Sequence, residues 1–289
     1  MYDVTIIGSG PAGVSASLYT GRANLKTLIL YQDESALEKT SYIENYYGFE
    51  EGISGKQLYE IGRKQAANIG VEVKKEEVTN IMMEEKEFKI QTSMGEYKTR
   101  VVILATGNKK NKPNIRGIED FEGRGVSYCA ICDGFFYRNR SISVIGDGNY
   151  AISEVNELIN IADNITILTN GKKAPEFRAD NVEIDTKEIE AIHGDQKVEE
   201  VRFKDGSMRK TDGIFVAQGV AGSMEFAKKL GIVTGQNKII VNENMETNIK
   251  GIYACGDCTG GLLQISKAVY EGTKAGIQAI QYIREIKNG

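Results

Sequence analysis

The sequence predicts an α/β protein of two Rossmann-type, dinucleotide-binding-like domains, the second inserted into the first. Three observations carry that prediction. Asp3 to Gly13 reads DVTIIGSGPAG and Ser141 to Ala151 reads SISVIGDGNYA, so a short apolar strand twice ends in GxGxx[GA]. The chain has 289 residues, enough for roughly two domains of about 150 residues. Glycine is abundant at 32 residues and proline scarce at 3, which suits tight strand-to-helix turns better than disordered linkers.

Each fingerprint follows a β-rich run and precedes a helix-like stretch, Val14 to Ala23 and Ile152 to Ile161, which is the context a phosphate-binding turn requires. Val101 to Leu104 reads as a buried strand running into Ala105-Thr106-Gly107, and the polar, basic stretch Asn108 to Pro113 beyond it reads as a linker. A second polar stretch, Asn242 to Lys250, precedes Gly251-Ile252-Tyr253-Ala254. Two crossings then give a first domain of residues 1–112 and 245–289 around an inserted domain of residues 113–244. From Leu263 to Lys287, apolar residues at Ile265, Val269, Ile277, Ile280 and Ile283 predict a long C-terminal helix returning to the first domain.

Composition excludes several classes of function. With 36 basic and 40 acidic residues the net charge is -4, which argues against a nucleic-acid binder or a membrane-surface protein. No apolar run reaches the eighteen or so residues a transmembrane helix needs. Met1-Tyr2-Asp3 leads straight into Val4-Thr5-Ile6-Ile7 without a basic segment or cleavage site, so a cytoplasmic protein is expected. The four cysteines form two pairs of one spacing, Cys129-Ala130-Ile131-Cys132 and Cys255-Gly256-Asp257-Cys258. In a cytosolic chain this spacing means redox chemistry or metal before structural staples, and the wide separation of the pairs disfavours a zinc site. The one histidine, His193, lies in a polar stretch that reads as a surface loop.

The run from Gly123 to Asn139, GRGVSYCAICDGFFYRN, closely resembles the redox motif of low-molecular-weight thioredoxin reductases. Glu44-Asn45-Tyr46 followed by Gly48-Phe49, Ala105-Thr106-Gly107, and Gly256-Asp257 with Gln264 beyond it agree in order along nearly the whole chain. The resemblance implies that the interrupted domain binds FAD and that the inserted, nicotinamide-type domain carries Cys129 and Cys132 as a redox disulfide passing electrons to thioredoxin. It further implies a homodimer without a metal, Asp133 as general acid for the departing thiol, and Asp257 on the ribitol chain.

A physical reading supports the flavin loop. Gly8, Ser9, Gly10, Pro11, Ala12 and Gly13 let backbone approach a pyrophosphate at the start of a helix. Tyr31, Gln32 and Asp33 end the second strand, where a ribose-holding group is expected. The resemblance completes the expected cofactor set with Asn45, Ala105, Thr106, Gly107, Gly256, Asp257, Leu263 and Gln264. A dithiol two residues apart closes a small ring and reopens it by exchange, and CxxC pairs commonly lower one thiol's pKa toward about 7.

Departures from the family concern the electron donor. NADPH-using members carry GGGxxA and then HRRxxxR, whereas this chain has Gly146-Asp147-Gly148-Asn149-Tyr150-Ala151 and then Thr169-Asn170-Gly171. Asp147 sets a carboxylate where a pyrophosphate would bind, Tyr150 adds bulk, and no acid is present to hold an NADH ribose. Phe177-Arg178-Ala179 leads at once to Val182-Glu183-Ile184 where the family has another helix. Gly219-Val220-Ala221-Gly222-Ser223 replaces GxxPN, Leu262-Leu263-Gln264 replaces YRQ, and Glu34-Ser35-Ala36-Leu37 stands where the family has GGQL. The pattern resembles the ferredoxin-dependent flavin thioredoxin reductases of anaerobic bacteria. The predicted donor is therefore ferredoxin, drawn by Lys109, Lys110, Lys112 and Arg116. The alternative is NADPH held by Lys172, Lys173 and Arg178 in a rearranged loop. One disulfide serving both a flavin and a protein substrate also predicts a hinge rotation at the crossings.

Overall fold

The computed structural model describes residues 1–32, 36–107, 113–219, 221–235 and 238–288. The chain divides into two compact units, Met1–Lys109 with Gly222–Gly289, and Lys110–Ala221.

The first unit opens with β1 (Tyr2–Ile7), α1 (Pro11–Arg22), β2 (Thr27–Tyr31), α2 (Gly55–Asn68), β3 (Glu72–Lys75), β4 (Val78–Met83), β5 (Phe88–Thr92) and β6 (Gly95–Leu104). Every residue of β1 is buried, as a central parallel strand flanked on both sides requires. The sheet order is β3-β2-β1-β6-β5-β4. β3, β2, β1 and β6 run parallel, with Val4 opposite Thr27 and Ile6 opposite Ile103, while β5 and β4 are antiparallel additions. Ser54 caps α2 by accepting from the Gln57 amide (3.2 Å), and Gln57 answers with its side chain, a capping box.

The second unit contains β7 (Val126–Ser127), α3 (Ala130–Asp133), β8 (Ser141–Ile145), α4 (Asn149–Leu158), β9 (Asn164–Leu168), β10 (Val182–Asp185), β11 (Ile189–Gly194), β12 (Val198–Phe203), β13 (Met208–Lys210) and β14 (Gly213–Val216). Its parallel sheet has the order β10-β9-β8-β14-β7, and β11-β12-β13 form a separate antiparallel sheet. β10 follows β9 with no intervening helix. His193 is not a loop residue: it lies near the end of β11 opposite Glu200 and is half-buried, and the polar Asp195 falls in the bend that follows the strand.

The chain then returns to the first unit with α5 (Ser223–Lys229), β15 (Thr234–Gly235), β16 (Lys238–Ile239), β17 (Ile252–Ala254) and α6 (Ile265–Asn288). β17 joins the main sheet beside the C-terminal half of β6, Tyr253 opposite Ile103. This return occurs at Gly222, ahead of residue 245 where the sequence reading starts the last segment. The cause is Ser223, whose hydroxyl and amide both bond Thr106 Oγ1 (2.8 and 2.7 Å) and so tie α5 to the end of β6. The polar stretch at 242 is a turn closed on itself, Asn242 Oδ1 accepting from the Asn244 and Glu246 amides (2.9 and 3.0 Å).

The C-terminal helix packs mainly through small residues, and of the isoleucines the sequence offers only Ile283 is fully buried. Ala268, Gly272, Ala275, Gly276, Ala279 and Ile283 are buried, while Ile277 is 37 % exposed. A Cβ on Gly272 would stand 2.0 Å from the Ala12 carbonyl oxygen, so α6 and α1 meet backbone to backbone.

Lys287 at the far end of α6 closes the unit on Asp3 of β1 (3.0 Å), which also accepts from Arg100 (2.9 Å) and the Lys26 amide (3.0 Å). Burial alone would raise the pKa of Asp3, but Lys287, the Lys26 amide and Arg100 outweigh it and hold the carboxyl below its ordinary range. A depressed folded pKa contributes stability above the unfolded value, lost as pH falls through the folded one. Asp3→Asn is therefore expected to cost about 1–2 kcal/mol in urea unfolding at pH 7, and the cost should shrink in acid as pH falls through the depressed folded pKa. An equal cost at pH 7 and in acid would refute the linkage.

Candidate active site

In the first unit the backbone itself forms the site. Gly8 has φ +114°, a region L side chains rarely adopt, and a Cβ there would lie 2.3 Å from the Ala105 carbonyl oxygen. A Cβ on Gly13 would lie 2.0 Å from the Gly8 carbonyl oxygen. The loop thus folds tightly against the end of β6, bringing Gly8, Ser9, Gly10, Pro11, Ala12 and Gly13 beside Ala105, Thr106 and Gly107. Gly10 caps α1 without a side chain and Pro11 starts the helix, which leaves the helix end open to an anion. These features fit the pyrophosphate of a dinucleotide.

Side chains brace the loop. Ser9 Oγ and the Tyr59 hydroxyl are 2.5 Å apart, both residues buried. Arg63 lies 4.3 Å over the Tyr59 ring and donates to the Tyr31 hydroxyl (2.7 Å). Tyr31 therefore reaches the loop's surroundings through Arg63, which sequence reasoning missed. Gln32 follows it, half-buried, and Asp33 lies outside the described residues. Asn45 Nδ2 donates to Gln264 Oε1 (3.3 Å), joining two predicted site residues distant in sequence. Leu263 beside them is 57 % exposed.

The Gly256–Asp257 turn is held by a pair that the sequence reading also missed. Glu271 Oε2 accepts from the Gly256 amide and the Thr259 hydroxyl (both 2.8 Å). Lys267 donates to the Gly256 and Gly260 carbonyl oxygens (2.8 and 2.6 Å) and pairs with Glu271 at 2.9 Å, their side chains only 15 % and 12 % exposed. Burial raises the Asp257 pKa; Lys267 opposes that shift and Glu271 adds to it. Cys255 and Cys258 flank the turn, fully buried and reduced. Burial pushes the Cys255 thiol far up and the Cys258 thiol to about 11.

In the second unit Cys129 and Cys132 form a disulfide. Cys129 is 3 % exposed, its sulfur accepting from the Cys132 amide (3.2 Å), while Cys132 faces solvent. Ser127 Oγ donates to Asp133 Oδ2 (2.6 Å) and accepts from the Cys129 amide (3.1 Å), so the acid is coupled to the turn through a hydroxyl. Ile131, Phe135 and Phe136 surround the turn at 48 %, 67 % and 72 % exposure, an apolar collar on the surface.

The second fingerprint keeps its steric logic, since a Cβ on Gly146 would lie 2.3 Å from the Ala217 carbonyl oxygen. Its electrostatics differ. Lys172 Nζ pairs with Asp147 Oδ1 at 2.9 Å. Thr169 Oγ1 donates to the Lys172 carbonyl oxygen (2.8 Å) and Asn170 Oδ1 accepts from the Ile189 amide (2.7 Å). Tyr150 is 2 % exposed, so its ring fills the interior and is not an obstruction in the cleft. Of the basic residues proposed to attract a donor, Arg116 is paired with Glu190 at 2.8 Å; Lys109, Lys110 and Lys112 lie outside the described residues.

Comparison with known proteins agrees with these features. Residues 2–272 match the pyridine nucleotide-disulphide oxidoreductase family. A thioredoxin reductase of Listeria innocua is 37 % identical, covering 99 % of this chain and 95 % of the relative. An atypical thioredoxin reductase from Desulfovibrio vulgaris Hildenborough matches with a TM-score of 0.93 at 40 % identity, over 99 % of each chain. A ferredoxin-flavin thioredoxin reductase from Clostridium acetobutylicum matches with a TM-score of 0.72 at 35 % identity, over 98 % of each chain.

Two outcomes check the site. Glu271→Ala removes the acceptor of two turn donors and leaves Lys267 unpaired, so thermal unfolding should show a loss of about 3 kcal/mol; an unchanged midpoint would show that the clamp is idle. In native protein at pH 8 after mild reduction, iodoacetamide should label the exposed Cys132 and spare Cys255 and Cys258. Four labelled cysteines would contradict the burial of the second pair.

Proposed function

This chain belongs to the pyridine nucleotide-disulphide oxidoreductase family as a thioredoxin reductase-like flavoprotein, and we propose that it reduces thioredoxin with electrons taken from ferredoxin rather than NADPH. The observation that carries this choice is the Asp147–Lys172 ion pair in the second fingerprint. A lone carboxylate about 4 Å from a phosphate charge would repel it by roughly 4 kcal/mol at an effective dielectric of 20, and Lys172 offsets only part of this. Lys172, a candidate to answer a 2'-phosphate, is already engaged by that carboxylate. Thr169 and Asn170, where a ribose would be held, are committed to backbone groups. The similarity to a ferredoxin-flavin thioredoxin reductase supports the same reading.

In this reading the first unit holds FAD, the cofactor of the family's thioredoxin reductases, through the Gly8–Gly13 loop with Tyr31, Gln32, Asn45, Ala105, Thr106, Gly107, Gly256, Asp257, Leu263 and Gln264. When bound, FAD supplies a two-electron store between a one-electron donor and a two-electron disulfide. The second unit's Cys129–Cys132 pair exchanges with thioredoxin, and Asp133 delivers the proton that a departing thiol needs. The collar of Ile131, Phe135 and Phe136 offers a protein substrate apolar area around the exposed Cys132. Plant-type ferredoxins lie near about -400 mV and thioredoxin near about -270 mV. Two electrons thus fall by roughly 130 mV, about 6 kcal/mol. The protein is expected to work as a cytoplasmic homodimer.

The test is anaerobic. Oxidised holoprotein is mixed with excess NADPH, or with photoreduced ferredoxin, while flavin absorbance and thioredoxin thiols are followed. Ferredoxin should bleach the flavin and yield thiols, and NADPH should do neither. Rapid bleaching by micromolar NADPH would overturn the proposal and restore an NADPH-dependent reductase with an unusual nucleotide site.

A further inference from the structure

The redox turn is held from two sides, and Asp133 accounts for only one of them. On the inner side the Ala130 amide donates to Oε2 of Glu154 at 2.9 Å. Glu154 rises from α4 and is 1 % exposed. A carboxyl group is expensive to bury, and a glutamine would satisfy the same amide without that cost. A carboxylate brings to this place both an acceptor and a charge. What an acid adds is charge, beside the residue that follows Cys129. Two strands packed on α4, β8 (SISVI) and β9 (NITIL), carry no charged side chain. Asp133, bonded to Ser127, is the one acid of α3.

We propose that Glu154 is a positioning residue of the redox pair: its carboxylate anchors the Ala130 amide, so fixing the turn that sets the Cys129 sulfur against the Cys132 amide, and its charge disfavours ionisation of the reduced thiols. Reduction of the disulfide takes two electrons and two protons. A thiol that ionises at working pH keeps one proton fewer, which stabilises the reduced form. A buried negative charge beside the turn works against that ionisation and makes the pair a stronger reductant once it is reduced. The inference rests on the reading of Cys129 and Cys132 as the working disulfide.

Two variants separate anchor from charge. Glu154→Gln keeps an oxygen for the Ala130 amide and removes the charge, whereas Glu154→Ala removes both. FAD-loaded proteins of matched absorbance and melting temperature are reduced with dithiothreitol, freed of it, and alkylated with iodoacetamide across pH 6–9. A parallel set is equilibrated against glutathione. Glu154→Gln should alkylate about three- to tenfold faster than wild type at pH 7 and shift toward dithiol by a similar factor. Glu154→Ala should show the same shift and, in addition, reclose its disulfide at least about fivefold more slowly. A Gln variant within twofold of wild type in both measurements removes the role of charge. An Ala variant that recloses at the wild-type rate removes the anchor.

One further measurement needs no variant. In the oxidised wild-type protein the Ala130 amide should exchange hydrogen at least about tenfold more slowly than that of its neighbour Ile131. Equal exchange of the two overturns the anchor. A wild-type protein that shows every expected thiol effect yet never reduces thioredoxin would sink the proposed function and leave this role of Glu154 standing.

Discussion

Where α6 lies on α1, backbone touches backbone, and the site in the first unit follows from that contact. Gly272 and Gly276 carry no side chain to hold the helices apart: a Cβ on either would lie 2.0 or 2.6 Å from a carbonyl oxygen of α1, that of Ala12 or Ala16. The approach brings the first turns of α6, with Lys267 and Glu271, over the Gly256–Asp257 turn. A Cβ on Gly256 would in turn lie 2.9 Å from that of Ala12. The turn after β17 and the loop after β1 are thus pressed together by one helix packing, with β6 beneath both. Overpacking such a contact costs about 1–3 kcal/mol, so small residues here specify position as much as stability.

Much of this was legible in the sequence, and what was not shares a physical cause. The two fingerprints stood out because a turn that brings backbone against backbone leaves glycine at fixed spacing. The packing face of α6 did not, because periodicity looks for large apolar side chains and this contact selects for their absence. Lys267 and Glu271 read as an ordinary exposed i,i+4 pair. Only the fold shows that turn carbonyl groups surround them. Ser127 and Glu154 bond backbone amides, partners that leave no trace in residue identity. Asp147 was visible as a misplaced charge, whereas its engagement with Lys172 is a tertiary fact. The return at Gly222 was misplaced because Thr106 and Ser223 declare their contact only in three dimensions.

The proposed ferredoxin donor raises the question of why a nucleotide-type domain would keep its shape once it no longer binds a nucleotide. The core gives part of the answer. β8, β9 and β14 bury Ile145, Leu168, Ile214 and Val216 in one cluster that needs the parallel sheet whatever the cleft binds. The helix of the second fingerprint gives the rest. α4 presents Asp147 just before its first turn, where a phosphate would approach, and Glu154 two turns on, under the redox pair. Under the proposed function the paired charge at the first place disfavours a nucleotide, while an acceptor at the second holds the Ala130 amide. Losing the first role does not release the helix from the second. Discarding α4 would also remove the acceptor of the Ala130 amide beside the disulfide, so under the proposed function a change of donor leaves the architecture in place.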